Sequence, residues 1–67
     1  MARLVDVIEV IAQSDQSWEQ AAQRALEEAA KTVRHITSIY GQEFQADVSN
    51  GKITQFNLNA KISFELE

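Results

Sequence analysis

The chain of 67 residues contains no cysteine and a single histidine, His35. The absence of cysteine excludes a disulfide framework and every thiolate metal site, and one histidine excludes a multi-histidine metal site within one chain. The two glycines, Gly41 and Gly51, are too few for a loop that cradles phosphate. No arrangement of a nucleophile with an acid or base is visible, so we expect a protein that is not an enzyme.

Positive charge is also scarce, since six Lys and Arg against ten Asp and Glu give a net charge of −4. Non-specific nucleic-acid binding needs clustered Lys and Arg, so no nucleic-acid partner is expected. No apolar run approaches the roughly 20 residues that span a bilayer. The segment Met1-Ala2-Arg3 does not begin a signal peptide of the usual composition. We therefore expect no membrane partner and a cytoplasmic location.

The small size of the chain favours assembly. We expect a single domain over residues 1–67, and a chain of this length buries only about 60% of the surface that its unfolded form exposes. Small domains usually compensate with disulfides, a bound metal or oligomerisation. Because composition excludes the disulfides and the commonest metal sites, a homo-oligomer is the remaining expectation.

The clearest pattern is an alternation of polar and apolar residues from Ile53 to Leu66, which predicts a strand with two distinct faces. The apolar face carries Thr54, Phe56, Leu58, Ala60, Ile62, Phe64 and Leu66. The polar face carries Gln55, Asn57, Asn59, Lys61, Ser63 and Glu65. Its row of three amides suits contact with a ligand or packing against a neighbouring subunit, and the pattern leaves both interpretations open.

The remaining elements follow from periodicity. Residues 4–12 are rich in Val and Ile on both faces, which predicts a first strand covered by a helix on one side and by a neighbouring subunit on the other. A capping box at Ser17 and Gln20, followed by apolar residues three or four apart, predicts a helix from Trp18 to about Ile36.

From Ile39 the period changes to two, which predicts another strand with a bend or bulge at Gly41. Asn50-Gly51 then predicts a hairpin turn. The expected fold class is α+β, with the order β–α–β–β and a three-stranded antiparallel sheet wrapped around one helix.

Three further features are candidates for function, and each has a structural alternative. Trp18 can stack on a planar ligand, but its place on the apolar stripe of the helix predicts core packing. His35 is expected on the polar side of the helix near its end. Oxygens for a hard cation such as Ca²⁺ are available on Glu43, Asp47 and Glu65, although charges on strand edges that prevent aggregation are the commoner interpretation.

The joint spacing of several segments resembles the dodecin family. These segments are Val5–Ser14, Ser17–Ala21, Ala29–Arg34, Asn50-Gly51-Lys52 and Lys61–Leu66, and together they extend over essentially the whole chain. The resemblance implies the β–α–β–β fold and a hollow, spherical homododecamer. It also implies a flavoprotein without catalysis, which stores or sequesters flavins stacked in pairs between symmetry-related tryptophans.

The chain departs from this family at the positions expected to contact flavin. Aligned without gaps, Ser38 stands at the stacking tryptophan, Asn57 at a glutamine that contacts the ring edge, and Gln45 at a common arginine. Serine has no π-face, and the loss of one aromatic stacking partner typically weakens the binding free energy by about 1–3 kcal/mol. The resemblance therefore predicts a ligand-binding storage protein whose affinity for riboflavin or FMN is weakened or lost.

Two alternatives remain open at this point. Tyr40 shares the strand face of Ser38 and can stack in its place, which would preserve a flavin-sequestering dodecin. Some relatives that lack the tryptophan are similar in having a small residue there, and one such branch binds calcium. The resemblance assigns no calcium ligand to any residue of this chain, so the metal site stays unknown.

Overall fold

The computed structural model describes residues 4–66 and contains one helix and three strands in this range. Their order is β1 (Val5–Ser14), α1 (Trp18–Ala29), β2 (Ile36–Ser49) and β3 (Lys52–Glu65). All pairings are antiparallel and the strand order is β1-β3-β2, so β3 lies between the other two strands. The predicted α+β class and β–α–β–β order are confirmed. Residues 1–3, on which the expectation about a signal peptide depends, lie outside the described range.

The helix packs on one side of the sheet, which we call the inner face. Three alanines of α1, Ala21, Ala25 and Ala29, are buried there, and their small side chains let the helix approach the sheet closely. Ala21 packs with Leu58, while Ala25 and Ala29 pack with Ile62. The predicted alternation of β3 is confirmed, because its buried residues are Leu58, Ala60, Ile62 and Phe64.

The opposite side of the sheet, the outer face, carries no element from residues 4–66 of the same chain. The outer side chains of β1 are nonetheless apolar: Val5, Val7 and Ile11 are 54%, 48% and 75% exposed. Their even-numbered neighbours Ile8 and Val10 pack against the helix. The two-sided apolar character predicted for β1 is therefore present, with one side covered and the other bare in a single chain.

The helix ends earlier than the sequence predicted. It ends at Ala29, and Ala30 closes it with an N–H that donates to the Leu26 carbonyl oxygen at 2.9 Å. Two β-branched residues follow, Thr32 and Val33, which are poor helix formers. The apolar spacing was misleading because Val33 and Ile36 do pack against the same cluster, but from a loop and from β2.

His35 lies in this loop, so its predicted place on the helix is wrong. Its φ of 59° is in the left-handed region, where His is enriched among residues other than glycine. The His35 carbonyl oxygen accepts from the Glu65 N–H at 3.0 Å, which fastens the reversal to the end of β3. The residue therefore turns the chain into β2 instead of capping α1.

The start of α1 depends on two serines. The Ser17 hydroxyl accepts from the Gln20 N–H at 2.9 Å, as the capping box predicted. The Gln20 side chain does not return to Ser17; its Oε1 accepts from the Ser14 hydroxyl and its Nε2 donates to Gln16. Ser14 is 1% exposed, and its Oγ also accepts from the Gln16 N–H at 2.9 Å. It therefore joins the end of β1 to the beginning of the helix.

Both predicted irregularities of the β2–β3 hairpin are present. Asn50 and Gly51 have φ values of 54° and 75°, the pair of positive values that a tight hairpin turn of type I′ requires. The register shifts between Gly41 and Glu43, which places a bulge there. A Cβ at Gly41 would lie 2.8 Å from Cζ of Phe44, so the missing side chain makes room for that ring. In the part of the chain that is described, α1 is too short and too polar to cross a bilayer.

Candidate functional site

The three positions aligned with flavin contacts all lie on the outer face, but not together. Gln45 is directly opposite Asn57, and Ser38 is opposite Ser63. Asn57 and Ser63 are six positions apart on β3, which is about 20 Å at roughly 3.4 Å per residue. A ring system of flavin size therefore cannot contact Ser38 and the Gln45–Asn57 pair within one chain.

Tyr40 lies at the Ser38 end of the outer face. It is opposite Lys61, two residues along the strands from the Ser38–Ser63 pair, and is 67% exposed. The sequence prediction that Tyr40 and Ser38 share a face agrees with this register. An exposed aromatic ring is thus available beside the serine.

The chain's only tryptophan lies on the other side of the sheet. The Trp18 ring meets Phe56 edge-to-face at a centroid distance of 4.9 Å and Phe44 at 5.9 Å. Its indole N–H lies 3.1 Å from two acceptors, the carbonyl oxygens of Gln45 and Asn57. As predicted, Trp18 packs against the core, and it also fixes the backbone beneath the outer amide pair.

The amide row of β3 contains two acceptors without donors. Nδ2 of Asn57 donates to Oδ1 of Asp47 at 3.0 Å. Oδ1 of Asn57 and Oδ1 of Asn59 each expose less than 1 Å² and have no hydrogen-bond partner among the described residues. A buried acceptor without a donor destabilises a fold by about 1–3 kcal/mol. Such a pair indicates a position where a donor from outside the chain would be stabilising.

These two residues line a small cavity on the outer face, which we call the amide pocket. Its volume is about 100 Å³, and its lining residues are Ile11, Glu43, Gln45, Asn57, Leu58 and Asn59. Because one liquid water occupies about 30 Å³, the pocket holds a few waters or the head group of a small ligand. The sequence predicted that the amide row contacts a ligand or a neighbouring subunit, and this stays a prediction. The unpaired oxygens were not predictable, because they depend on three-dimensional neighbours.

The carboxylates proposed for a hard cation do not converge in one chain. Glu43 and Asp47 lie near the amide pocket, opposite Asn59 and Gln55. Glu65 is opposite Val5, about 20 Å from the level of Glu43 and about 34 Å from the level of Asp47 at roughly 3.4 Å per residue. Among residues 4–66 no group of three or more His, Asp or Glu side chains is arranged to hold a metal ion. Any site using all three carboxylates therefore needs more than one chain.

Comparison with known proteins identifies the family. A sequence model described as Dodecin matches residues 4–67. The comparison with curated protein sequences finds no significant match.

Solved structures agree with this fold over nearly the full length. A mutant dodecin from Thermus thermophilus has a TM-score of 0.91 and 24% identity, with 98% of each chain covered. Dodecin from Streptomyces davaonensis has a TM-score of 0.90 and 18% identity, with 100% of this chain and 98% of that one covered. Calcium dodecin from Mycobacterium tuberculosis, described as a calcium-chelating antigen, has a TM-score of 0.80 and 32% identity, with 96% and 91% covered.

Proposed function

The chain belongs to the dodecin family, and we propose that it is a non-enzymatic protein that binds and stores a small ligand as a hollow homododecamer. We further propose that its affinity for flavin is weakened or lost. One observation carries this proposal: the outer face has a serine at position 38, while the chain's only tryptophan, Trp18, packs on the inner face.

Assembly is supported by two features of the outer face. Ser38 and the Gln45–Asn57 pair are about 20 Å apart in one chain at roughly 3.4 Å per residue, so a pocket containing both kinds of position needs two chains. The outer side of β1 also exposes Val5, Val7 and Ile11. Burying this surface against other copies gives a small domain the additional apolar contact that its own core lacks.

Weak flavin binding follows from the chemistry of the aligned residues. A site that is symmetric about a two-fold axis lacks two stacking partners when serine replaces tryptophan. At about 1–3 kcal/mol for each partner, the affinity falls by roughly two to four powers of ten. Asn57 is one methylene shorter than glutamine, and its Nδ2 already donates to Asp47. The amide that would contact a ring edge is therefore shorter, and one of its two N–H donors is already used.

A fluorescence-quenching titration with riboflavin and FMN tests this proposal. The unmodified protein should quench neither flavin at micromolar concentration. Ser38→Trp should restore quenching, whereas Ser38→Leu, which adds bulk without an aromatic face, should not. Strong stoichiometric quenching by the unmodified protein would contradict the proposal, and loss of that quenching in Tyr40→Leu would assign the stacking to Tyr40.

Calcium binding is a second candidate function. It is favoured by the 32% identity to the calcium dodecin of M. tuberculosis. In this chain the site would combine Glu43 and Asp47 from several subunits, because residues 4–66 of one chain do not bring enough carboxylates together. The temperature of thermal unfolding should then increase with Ca²⁺ but not with Mg²⁺. This increase should disappear in Glu43→Gln. An equal response to both ions would contradict a specific site.

A further inference from the structure

We propose that the amide pocket binds an alkylammonium group, supplied by a small primary amine or by a lysine side chain of a second copy. This inference names the ligand chemistry for the outer face and so rests on the proposed ligand-binding function. It depends on the unpaired oxygens of Asn57 and Asn59, the carboxylates beside them, and the size of the cavity.

Two buried acceptors beside the pocket, Oδ1 of Asn57 and Oδ1 of Asn59, have no donor among the described residues. An ionised Asp47 carboxylate can only accept hydrogen bonds, so the Asn57 atom that faces it must be the donor Nδ2. The acceptor Oδ1 of Asn57 therefore points the other way and stays without a partner among residues 4–66. Oδ1 of Asn59 is unpaired as well. A ligand that satisfies both oxygens must donate, and an alkylammonium group offers several N–H donors and no acceptor.

The charges around the pocket select a cation. Glu43 is one of the lining residues, and Asp47 is held beside Asn57. Neither Lys nor Arg is among the described residues that line the pocket. An anionic ligand would therefore meet uncompensated repulsion, whereas a positively charged donor is attracted by both carboxylates.

The dimensions of the amide pocket favour a small ammonium group over a flavin or Ca²⁺. A cavity of about 100 Å³ accommodates an ammonium group with a few methylenes, and Ile11 supplies an apolar contact for them. It is too small for a tricyclic flavin ring. Ca²⁺ takes about six to eight oxygen ligands, more than these residues of one chain provide. Because Oδ1 of Asn57 and Oδ1 of Asn59 each expose less than 1 Å², the head group reaches them only when the exposed side chains of Glu43 and Gln45 move aside.

Isothermal titration calorimetry with 1,4-diaminobutane at neutral pH and fixed ionic strength tests this proposal. The unmodified protein should bind the diamine but not 1,4-butanediol, which has similar length and no charge. Asn59→Leu keeps the approximate shape without the acceptor and should weaken binding by about tenfold, which is about 1.4 kcal/mol. Gln55→Leu, on the same strand and face but outside the pocket, should bind within about twofold of the unmodified protein.

A lysine from a second copy gives a different result in the same experiment. The unmodified protein would then bind no diamine, and Lys52→Met or Lys61→Met would bind it with the same dependence on Asn59. Equal affinity in Asn59→Leu, equal binding of the diol, or no binding in any variant would overturn the proposal. Displacement of the diamine by low Ca²⁺ at matched ionic strength would also overturn it, by assigning the pocket to a metal ion.

This test separates the inference from the proposed function. All the described residues that line the amide pocket belong to one chain, so the diamine site does not need a second copy to be complete. Size-exclusion chromatography and flavin quenching on the same sample report the proposed function independently. Diamine binding without assembly would reject only the dodecamer, and assembly without diamine binding in the unmodified protein or in either lysine variant would reject only this inference.

Discussion

Trp18 connects the two sides of the sheet at the scale of a single residue. Its ring packs edge-to-face with Phe44 and Phe56, and its indole N–H donates to the backbone of Gln45 and Asn57. The same two residues present their side chains to the outer face. A tryptophan that forms no part of the outer surface therefore determines where the outer amides stand.

Replacement of Trp18 separates its packing from its hydrogen bonds. Trp18→Ala should lower the free energy of unfolding by about 3 kcal/mol, at the low end for large aromatic deletions because the side chain is half-buried. Trp18→Phe keeps a ring and loses the N–H, so it should lower the same free energy by about 1 kcal/mol. Urea melts measure both changes. A decrease below about 1 kcal/mol for Trp18→Ala would contradict the packing role.

At the scale of elements, Ser14 is more important than its place in a polar segment suggests. Its hydroxyl accepts from the N–H of Gln16 and donates to Oε1 of Gln20, and the residue is almost completely buried. The N-cap itself, Ser17, is only half-buried. The connection between β1 and α1 therefore depends on a serine one turn before the cap.

Alanine substitution should rank these serines by stability. Ser14→Ala should lower the free energy of unfolding by about 2 kcal/mol, because it leaves buried groups without partners. Ser17→Ala should lower it by about 1 kcal/mol, the usual effect of losing an N-cap. Ser49→Ala, at the exposed end of β2, is the control and should change little. Thermal melts in which Ser17→Ala is less stable than Ser14→Ala would reverse this assignment.

The bulge at Gly41 and the ring of Phe44 form one packing unit. Gly41→Ala should destabilise the protein by about 1 kcal/mol, the low end for overpacking, since the new Cβ overlaps the end of a ring that is 62% exposed and can shift. In the background of Phe44→Leu, the same substitution should be nearly neutral, because the overlapping ring atoms are gone. A double-mutant cycle of urea melts measures the coupling. Additive effects would show that the ring does not occupy the space at Gly41.

These elements also explain what the sequence could and could not predict. The two faces of β3 and the Asn50-Gly51 turn were predictable, because each depends on local alternation or on backbone φ. The end of α1 was not, since apolar spacing continues through Val33 and Ile36 while the chain direction changes at His35.

Within the candidate site, the shared outer face of Ser38, Gln45 and Asn57 follows from strand periodicity once the bulge is known. The distance between Ser38 and the other two follows only from the strand register. The unpaired oxygens of Asn57 and Asn59 arise from burial by neighbouring strands, which no local pattern encodes.

At the scale of the whole molecule, the outer side of β1 is an apolar surface that no other element of residues 4–66 covers. Val7→Gln should shift the protein toward smaller species in size-exclusion chromatography with light scattering, because it places an amide in the apolar stretch. Glu9→Gln, on the same strand and face, should leave the distribution unchanged. Unchanged assembly in Val7→Gln, together with disassembly in Glu9→Gln, would place the contact on polar residues instead.

The central position of β3 in the sheet has a consequence for the chain while it is being synthesised. Both neighbours of this strand precede it in the sequence, so β1 and β2 leave the ribosome before the strand with which each of them pairs. Until Leu58, Ala60 and Ile62 emerge, the inner residues of β1 and the alanines of α1 have no sheet centre to pack against. The Val- and Ile-rich segment of β1 therefore lacks its neighbouring strand until β3 has been synthesised, and the sheet can form only from then on.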